Sequence, residues 1–557
     1  MIPTTRLLAS VSVVSAVVCR NVHIGTLHQL FKIIHMTDAP LRHSLLRNLR
    51  KSSSVPEALY STSIDLVDST SNSTIRQELK QMVVKPLNNN CNSQNQRSAT
   101  ARDASEHPTN GPLDDDSMKA MTSGIDADVT MGRGNEDDKN PMTKQKYNSI
   151  RKWKTFTEGS TSVNPETHFV VRVISYNILA QILLDSHIYL YREHDDEALY
   201  WEKRKLLLQK EILKANANVI CLQEMQVDHV DDFVSTFKTA GYNYLYKKRT
   251  NDKQDGLLLL YRADQLKLED HAKVELYQSG VDVLNRDNVA LIAKFSLIES
   301  PRTHFVVSTT HLLYNPKRDD VRLAQTQLLF AELERIAFIE YGKDGPRYHP
   351  IILSGDFNLK PDSGVYTFIT QGSFEFKGKG RTLEAPVIDG LGQSLIPPSL
   401  LITDNCQHYN VLTKRLRGDG DGMTMIDNID DDKLRANLVE KSKDVSNNKA
   451  EVDTRTTEYQ KVKIVKGQYA KFSSGVVTHP FDLYSLYQHA NSYGESEATT
   501  HQGKWITVDY IFFNGVEPIS RYNLLTVNEC KKLPTIPNNV VGSDHLCLGA
   551  TFKLKKT

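Results

Sequence analysis

Between residues 168 and 552, short apolar runs alternate with amphipathic stretches, and nearly every apolar run ends in a small polar cluster. His168 to Tyr176 reads as a strand apolar on both faces. A helix follows over Trp201 to Ala215, where Leu206, Leu207, Ile212 and Leu213 approximate a 3.6-residue period. Further strands are predicted at Val219–Leu222, Gly256–Tyr261, Val289–Phe295, Ile351–Leu353, Val508–Phe513 and Leu546–Phe552. Asp319 and Asp320 are expected to cap a long helix running through Ile336.

Five polar clusters stand at the ends of these runs: Ser175-Tyr176-Asn177, Gln223-Glu224, Thr310-His311-Leu312, Gly355-Asp356-Phe357-Asn358 and Ser543-Asp544-His545. A carboxylate or carboxamide buried unpaired costs a few kcal/mol. A bound cation with a phosphate removes that cost, so the clusters together predict one metal-dependent phosphodiester-cleaving site. Mg²⁺ takes oxygen ligands, keeps several waters and needs one or two protein carboxylates, a demand that Glu224 with Asn177 meets and that Mn²⁺ could share. Asp356 is the general-base candidate, and Asn358, two residues on, would grip the same water. His311 and His545 would donate to a phosphate oxygen as its charge grows, Asp509 would orient His545, and Asp544 would organise the imidazole or the waters of the metal.

Composition narrows the setting. Lysine and arginine number 68 against 67 acids among 557 residues, so nucleic-acid contact must come from a local patch. One such patch is Lys247-Lys248-Arg249 with Lys253, which reads equally well as a solvated hairpin tip. Six cysteines without a CxxC pair argue for reduced thiols inside the cell.

Residues 51–160 are rich in Ser, Asn, Asp and Gly and read as a disordered arm, and about 414–467 as a solvated insertion. Neither Tyr60 nor Tyr147 begins a docking motif for the cap-binding translation factor, and no leucine-rich repeat precedes the catalytic region. Residues 1–50 open with Arg6, Arg20 and Lys32 and no acid until Asp38, as a mitochondrial targeting segment does. A secretory signal over Leu7–Val18 competes with that reading, and a downstream start at Met36 would leave a cytoplasmic form. No stretch approaches the ~20 apolar residues of a transmembrane segment.

The clusters S-Y-N-I-L-A-Q, L-Q-E, T-H-L-L-Y-N-P, G-D-F-N, V-D-Y-I-F and S-D-H-L resemble the endonuclease/exonuclease/phosphatase superfamily and its deadenylase-like branch. Arg286-Asp287-Asn288-Val289 and Thr310 to Arg318 are similar to the Angel proteins. The resemblance implies a catalytic domain over 165–555 with a four-layer α/β sandwich, two central sheets flanked by helices. It implies Mg²⁺ on Asn177 and Glu224, and hydrolysis at single-stranded RNA 3′ ends. Pro316 takes the place of a proline that packs on the terminal base in those relatives. Their stacking phenylalanine is replaced by Lys504, with Trp505 beside it, and Tyr261 and Asn288 are site neighbours by resemblance. The expected reaction is 3′-to-5′ exoribonuclease trimming of deadenylase type. An RNA 2′,3′-cyclic phosphatase using the same site and an inactive RNA-binding scaffold are the alternatives.

Overall fold

The computed structural model describes residues 141–156, 163–417, 460–463 and 469–557. The expected targeting segment, the arm up to residue 140 and the centre of the insertion lie outside the described residues. Among the described residues, 141–184 and 193–557 belong to one compact unit, and residues 185–192, with the turn Ile188–Tyr191, fall outside it.

In chain order the main strands are β1 (Trp153–Thr155), β2 (His168–Asn177), β3 (Val219–Gln226), β4 (Tyr242–Lys248), β5 (Asp255–Arg262), β6 (Leu266–Glu275), β7 (Val289–Leu297), β8 (Ser300–His311), β9 (Ile351–Asp356), β10 (Tyr484–Ser485), β11 (Asp509–Asn514), β12 (Glu517–Tyr522) and β13 (Leu548–Lys555). The main helices are α1 (Lys144–Ile150), α2 (Trp201–Ala215), α3 (Val230–Thr239), α4 (Asp319–Ala337) and α5 (Gly364–Gln371). A seven-stranded sheet runs β1-β12-β13-β2-β3-β5-β4, and a six-stranded sheet runs β10-β11-β9-β8-β7-β6.

Strand alternation builds the layers, because successive side chains point to opposite faces. Val171 and Val173 of β2 join Leu291, Phe295, Val307 and Ile352 in a core between the sheets. Ile174 and Tyr176 point the other way, onto Leu208, Ile212, Phe233 and Phe237 of α2 and α3. On the far side Ala290, Ile292 and Phe512 meet Leu323, Leu329 and Phe330 of α4. The result is the four-layer α/β sandwich, with both sheets covered by helices.

Three expectations change. In α2 the buried face is Trp201, Arg204, Leu208, Ile212 and Ala215, while Leu206 is 63% exposed. Arg204 belongs inside because its guanidinium donates to the carbonyls of Ile178, Leu179 and Gly542 at 2.9 to 3.1 Å. Asp319 and Asp320 do not cap α4; they stand in its first turn, paired with Arg322 and Arg318.

The folded region also begins earlier than residue 165. Thr143 caps α1, Tyr147 is buried, and β1 pairs antiparallel with β12 at the end of the seven-stranded sheet. Arg151, 1% exposed, donates to the carbonyls of Asn523 and Cys547. This segment therefore covers a sheet edge whose backbone groups would otherwise be open to pairing. At the insertion, the helix Tyr409–Arg417 enters from one side and Gln460–Lys463 pairs with Tyr469–Phe472 at the other.

Candidate active site

Register brings the polar clusters to one rim. In the seven-stranded sheet β2 and β3 are parallel, with Asn177 opposite Gln223. In the six-stranded sheet β8 and β9 are parallel, with His311 opposite Asp356, and antiparallel β11 starts with Asp509 opposite Asp356. Ser543, Asp544 and His545 immediately precede β13, the antiparallel neighbour of β2.

Local backbone devices aim the side chains. Pairing of β3 with β5 slips between Gln223 and Met225, and Glu224 sits there with φ of 61°. A non-glycine residue in the left-handed region costs ~1–3 kcal/mol and persists where the surroundings hold it. Here the slip sends Gln223 inward, where its Nε2 donates to Thr309 Oγ1 at 3.0 Å across the sheets, and turns Glu224 toward the rim. Gly355 lets β9 lie tight against β8, since a Cβ there would come 2.0 Å from the Thr310 carbonyl oxygen.

The side chains form one connected cluster. Asn177 Nδ2 donates to Glu224 Oε1 at 2.8 Å and to Asp356 Oδ2 at 3.0 Å, while Asn177 Oδ1 accepts from the Leu179 N–H at 3.1 Å. Glu224 Oε2 accepts from the Ala180 N–H at 3.1 Å. Asp356 Oδ2 lies 3.6 Å from His311 Nε2 and 3.8 Å from His545 Nε2. His545 Nδ1 is 2.8 Å from Asp509 Oδ2. Ser543 Oγ donates to the Asn177 carbonyl at 2.6 Å and accepts from the His545 N–H at 3.2 Å, so the two chain segments are joined at the site.

Electrostatics follow from burial and crowding. Burial, with the charges of Asp544 and Asp255, pushes the Glu224 carboxyl up to about 7. Asp356 is raised by burial and by Asp509, against the pull of both histidines. Burial lowers His311. Burial also opposes a charge on His545, but the ion pair with Asp509 outweighs it and holds the imidazole well above its ordinary value. Glu224, His311 and Asp356 each offer an atom within 4.8 Å of the others, as do Asp356, Asp509 and His545. Two carboxylates that burial leaves reluctant to ionise are a fitting oxygen donor set for a hard divalent cation, which would restore their charge.

Residues 174–545 match the family model described as the endonuclease/exonuclease/phosphatase family. The chain belongs to this family. It is 32% identical over 438 residues to angel homolog 2 of Bos taurus, covering 71% of this chain and 72% of that one. It is 29% identical to protein angel of Drosophila melanogaster over 72% of this chain and 86% of that one. The fold is similar to the crystal structure of ANGEL2, a 2′,3′-cyclic phosphatase, in complex with adenosine-2′,3′-vanadate, at a TM-score of 0.55 and 30% identity over 72% of this chain and 98% of that chain. As a member of this family the chain is a hydrolase of α/β sandwich fold.

Within this family member, Asn177, Glu224, His311, Asp356, Asp509, Asp544 and His545 converge on the rim. Asn358 stands beside Asp356 and braces it: its backbone N–H donates to Asp356 Oδ1 and its Nδ2 to the Leu312 carbonyl, so it fixes Asp356 and the chain after His311. Its φ of 52° places it in the left-handed region, outside the strand geometry on which the expectation relied. Asn288 likewise supports: it donates to the His311 carbonyl at 2.9 Å and accepts from Gln325 at 2.8 Å.

Pro316 is exposed on the loop after His311, and Trp505 lies half-buried on a two-residue strand beside Thr500, which bridges to His545. Tyr261 is not at the site. It pairs with Val219, at the far end of β3 from Glu224, and packs on Phe295 in the intersheet core, because antiparallel β5 brings Asp255 to the rim instead. The basic hairpin is largely neutralised, with Lys247 paired to Glu275 and Arg249 to Asp255. Sequence reasoning missed Arg204 and Gln325, for which spacing gave no signal, and Arg151, which the Thr143 cap and the Tyr147, Ile150 and Trp153 series could have revealed.

Proposed function

We propose that this hydrolase removes the 2′,3′-cyclic phosphate from the 3′ end of single-stranded RNA with a divalent cation, Mg²⁺ in the first place. The observation that carries the chemistry is the placement of Asp356 Oδ2 within 4 Å of two imidazole Nε2 atoms, beside Glu224. Similarity to the cyclic phosphatase ANGEL2 favours the cyclic end over a trimming substrate. The expected trimming activity has no comparable support, since Lys504 stands where a stacking aromatic was anticipated.

Glu224 would hold the cation, with Asp356 close by, and Asn177 Nδ2 keeps the two carboxylates in register. The cation would supply charge neutralisation at the phosphate and would acidify water. Asp356 orients the attacking water and accepts its proton. Water adds to phosphorus and the bond to one ribose oxygen breaks, that oxygen leaving with a proton; a second water then displaces the other ribose oxygen in the same way, so that inorganic phosphate departs and the ribose keeps both hydroxyls. His545, kept cationic by Asp509, stabilises the negative charge that grows on the phosphate oxygens, and His311, kept neutral by burial, donates a further hydrogen bond.

The test gives the full chain two RNAs of identical body, one ending in a cyclic phosphate and one in a 3′-hydroxyl poly(A) tract, with Mg²⁺ and with chelator. Metal-dependent loss of the cyclic end without shortening is expected. A ladder on the poly(A) substrate with the cyclic end left intact would replace this reading with the exoribonuclease. Inertness toward both would point to a scaffold.

A further inference from the structure

Beyond the catalytic cluster, one loop carries unpaired cations and is tied to the helix that supports the site. Residues 377–381 read Lys-Gly-Lys-Gly-Arg. Lys377 and Arg381 are exposed and Lys379 is half-exposed, its ammonium 5.5 Å above the Phe374 ring. Among the described residues none of the three makes an ion pair. Other cations near the rim do, including Lys247, Arg249, Arg318 and Arg322. Glu384 and Asp389 are exposed on the same loop and do not close onto these cations.

The loop is built, not loose. Gly378 N–H donates to the Leu391 carbonyl at 2.7 Å, Val387 N–H to Gly378 at 2.9 Å, and Leu391 N–H to Lys379 at 2.8 Å. Gly390 crosses Gly378 so closely that a Cβ on Gly390 would lie 2.2 Å from the Gly378 carbonyl oxygen. This crossing holds Ile388 wholly exposed and Val387 half exposed next to the cations. An apolar tip that no neighbour covers, flanked by three free cations, suits a ligand with both phosphates and flat apolar faces.

The loop also shares a support with the catalytic residues. The Asp320 N–H, in the first turn of α4, donates to the Arg381 carbonyl at 2.9 Å. Arg322 holds the carbonyls of Leu313 and Asn315 at 2.8 and 2.7 Å, fixing the loop that carries Pro316. Gln325, about 7.5 Å along the helix axis from Asp320, holds Asn288 and through it His311. The basic loop and the catalytic histidine thus hang on the same end of one helix.

We infer that the Lys377–Arg381 loop, with Val387 and Ile388, is the surface that binds the body of a single-stranded RNA whose 3′ end enters the site. The lysines meet backbone phosphates, Arg381 meets a phosphate or stacks on a base, and Ile388 seats an unstacked base. This inference rests on the RNA-end reading of the site.

The test uses the full chain and the triple variant Lys377→Gln, Lys379→Gln, Arg381→Gln. Two substrates are compared over a salt series: a single strand of about 20 nucleotides ending in a cyclic phosphate, and adenosine 2′,3′-cyclic phosphate. Three lost phosphate contacts at ~0.7 each should flatten the plot of log kcat/KM against log salt by about 2 for the long RNA, and raise its KM about tenfold at low salt. The mononucleotide should lose far less. A charge-matched control, Lys210→Gln with Lys214→Gln and Lys555→Gln, should leave the long RNA unaffected.

Equal losses on both substrates would mean that the loop shapes the site and does not hold RNA, and no loss on either would also overturn the inference. If the native chain processes neither substrate, the cyclic-phosphate reading fails by itself. Fluorescence anisotropy of the same labelled strand then decides the loop independently: weaker, less salt-sensitive binding by the triple variant supports it, and unchanged binding sinks it.

Discussion

Replacing Asp509 with Asn removes the charge that keeps His545 cationic, and the consequence can be worked through. The Asp509 to His545 contact is 2.8 Å and both side chains are almost fully buried, so water cannot take over the lost interaction. A charge-assisted hydrogen bond of this kind contributes ~1.5–3 kcal/mol. At ~1.4 kcal/mol per decade, its loss predicts turnover ~10- to ~150-fold lower. Direction in pH follows from the raised His545 value, where burial pulls down and Asp509, Asp356 and Asp544 pull up more strongly.

A folded pKa above the ordinary 6.5 means that the charged form is favoured by the fold. The stability it contributes is complete below 6.5 and disappears as pH rises through the folded value. Activity that needs the imidazolium therefore declines on the alkaline side, and in Asp509→Asn that decline should move down toward neutrality. The assay is kcat/KM on cyclic-phosphate RNA across pH for both proteins. A variant with the native rate and an unmoved alkaline limb would refute the idea that Asp509 acts by holding a cationic His545.

Glu224→Gln should abolish metal-dependent turnover yet stabilise the metal-free protein. A carboxyl raised from 4.5 to about 7 penalises the fold above that range and not below 4.5, so the gain should be on the order of 2–3 kcal/mol at alkaline pH and vanish in acid. Urea titrations at two pH values with chelator present measure it. Arg151→Met leaves two buried carbonyls and Glu211 without their partner, and a loss of ~3–5 kcal/mol is expected by urea denaturation; a protein beginning at residue 161 should fare at least as badly. Tyr261→Phe should keep full activity and change stability by less than about 1 kcal/mol, since the ring packs in the core; a large selective rise in KM would restore Tyr261 to the substrate surface.

The rim was legible in the chain because buried strands read as continuous apolar runs, which makes a polar residue at a strand tip conspicuous. What could not be read was the register that decides which end of a strand reaches the rim, so Tyr261 was expected there and Asp255, which does reach it, was passed over. The bracing contacts of Asn358 were not readable for a different reason: its left-handed backbone breaks the two-residue alternation on which the inference relied. Arg204 was invisible because a helical apolar period cannot announce a buried guanidinium serving three carbonyls of two distant loops. The segment from 141 to 156 was hidden by its polar surroundings, where Tyr147, Ile150 and Trp153 stand apart among charged and polar residues.

The pairing of β2 with β13 has a consequence for how the molecule comes into being. Ser175 lies opposite Leu548, and the Ser543 hydroxyl is anchored on the Asn177 carbonyl, so the first large strand and the last are neighbours. Closing so long a loop is slow relative to local pairing, and synthesis delivers the last strand only at the end. Until Asp544 and His545 have emerged and β13 has docked, a nascent chain can hold helices and most of both sheets and still lack the groups that complete the site. Hydrolytic competence in this protein is thus tied to finishing the chain, and any product terminated before residue 545 is born without it.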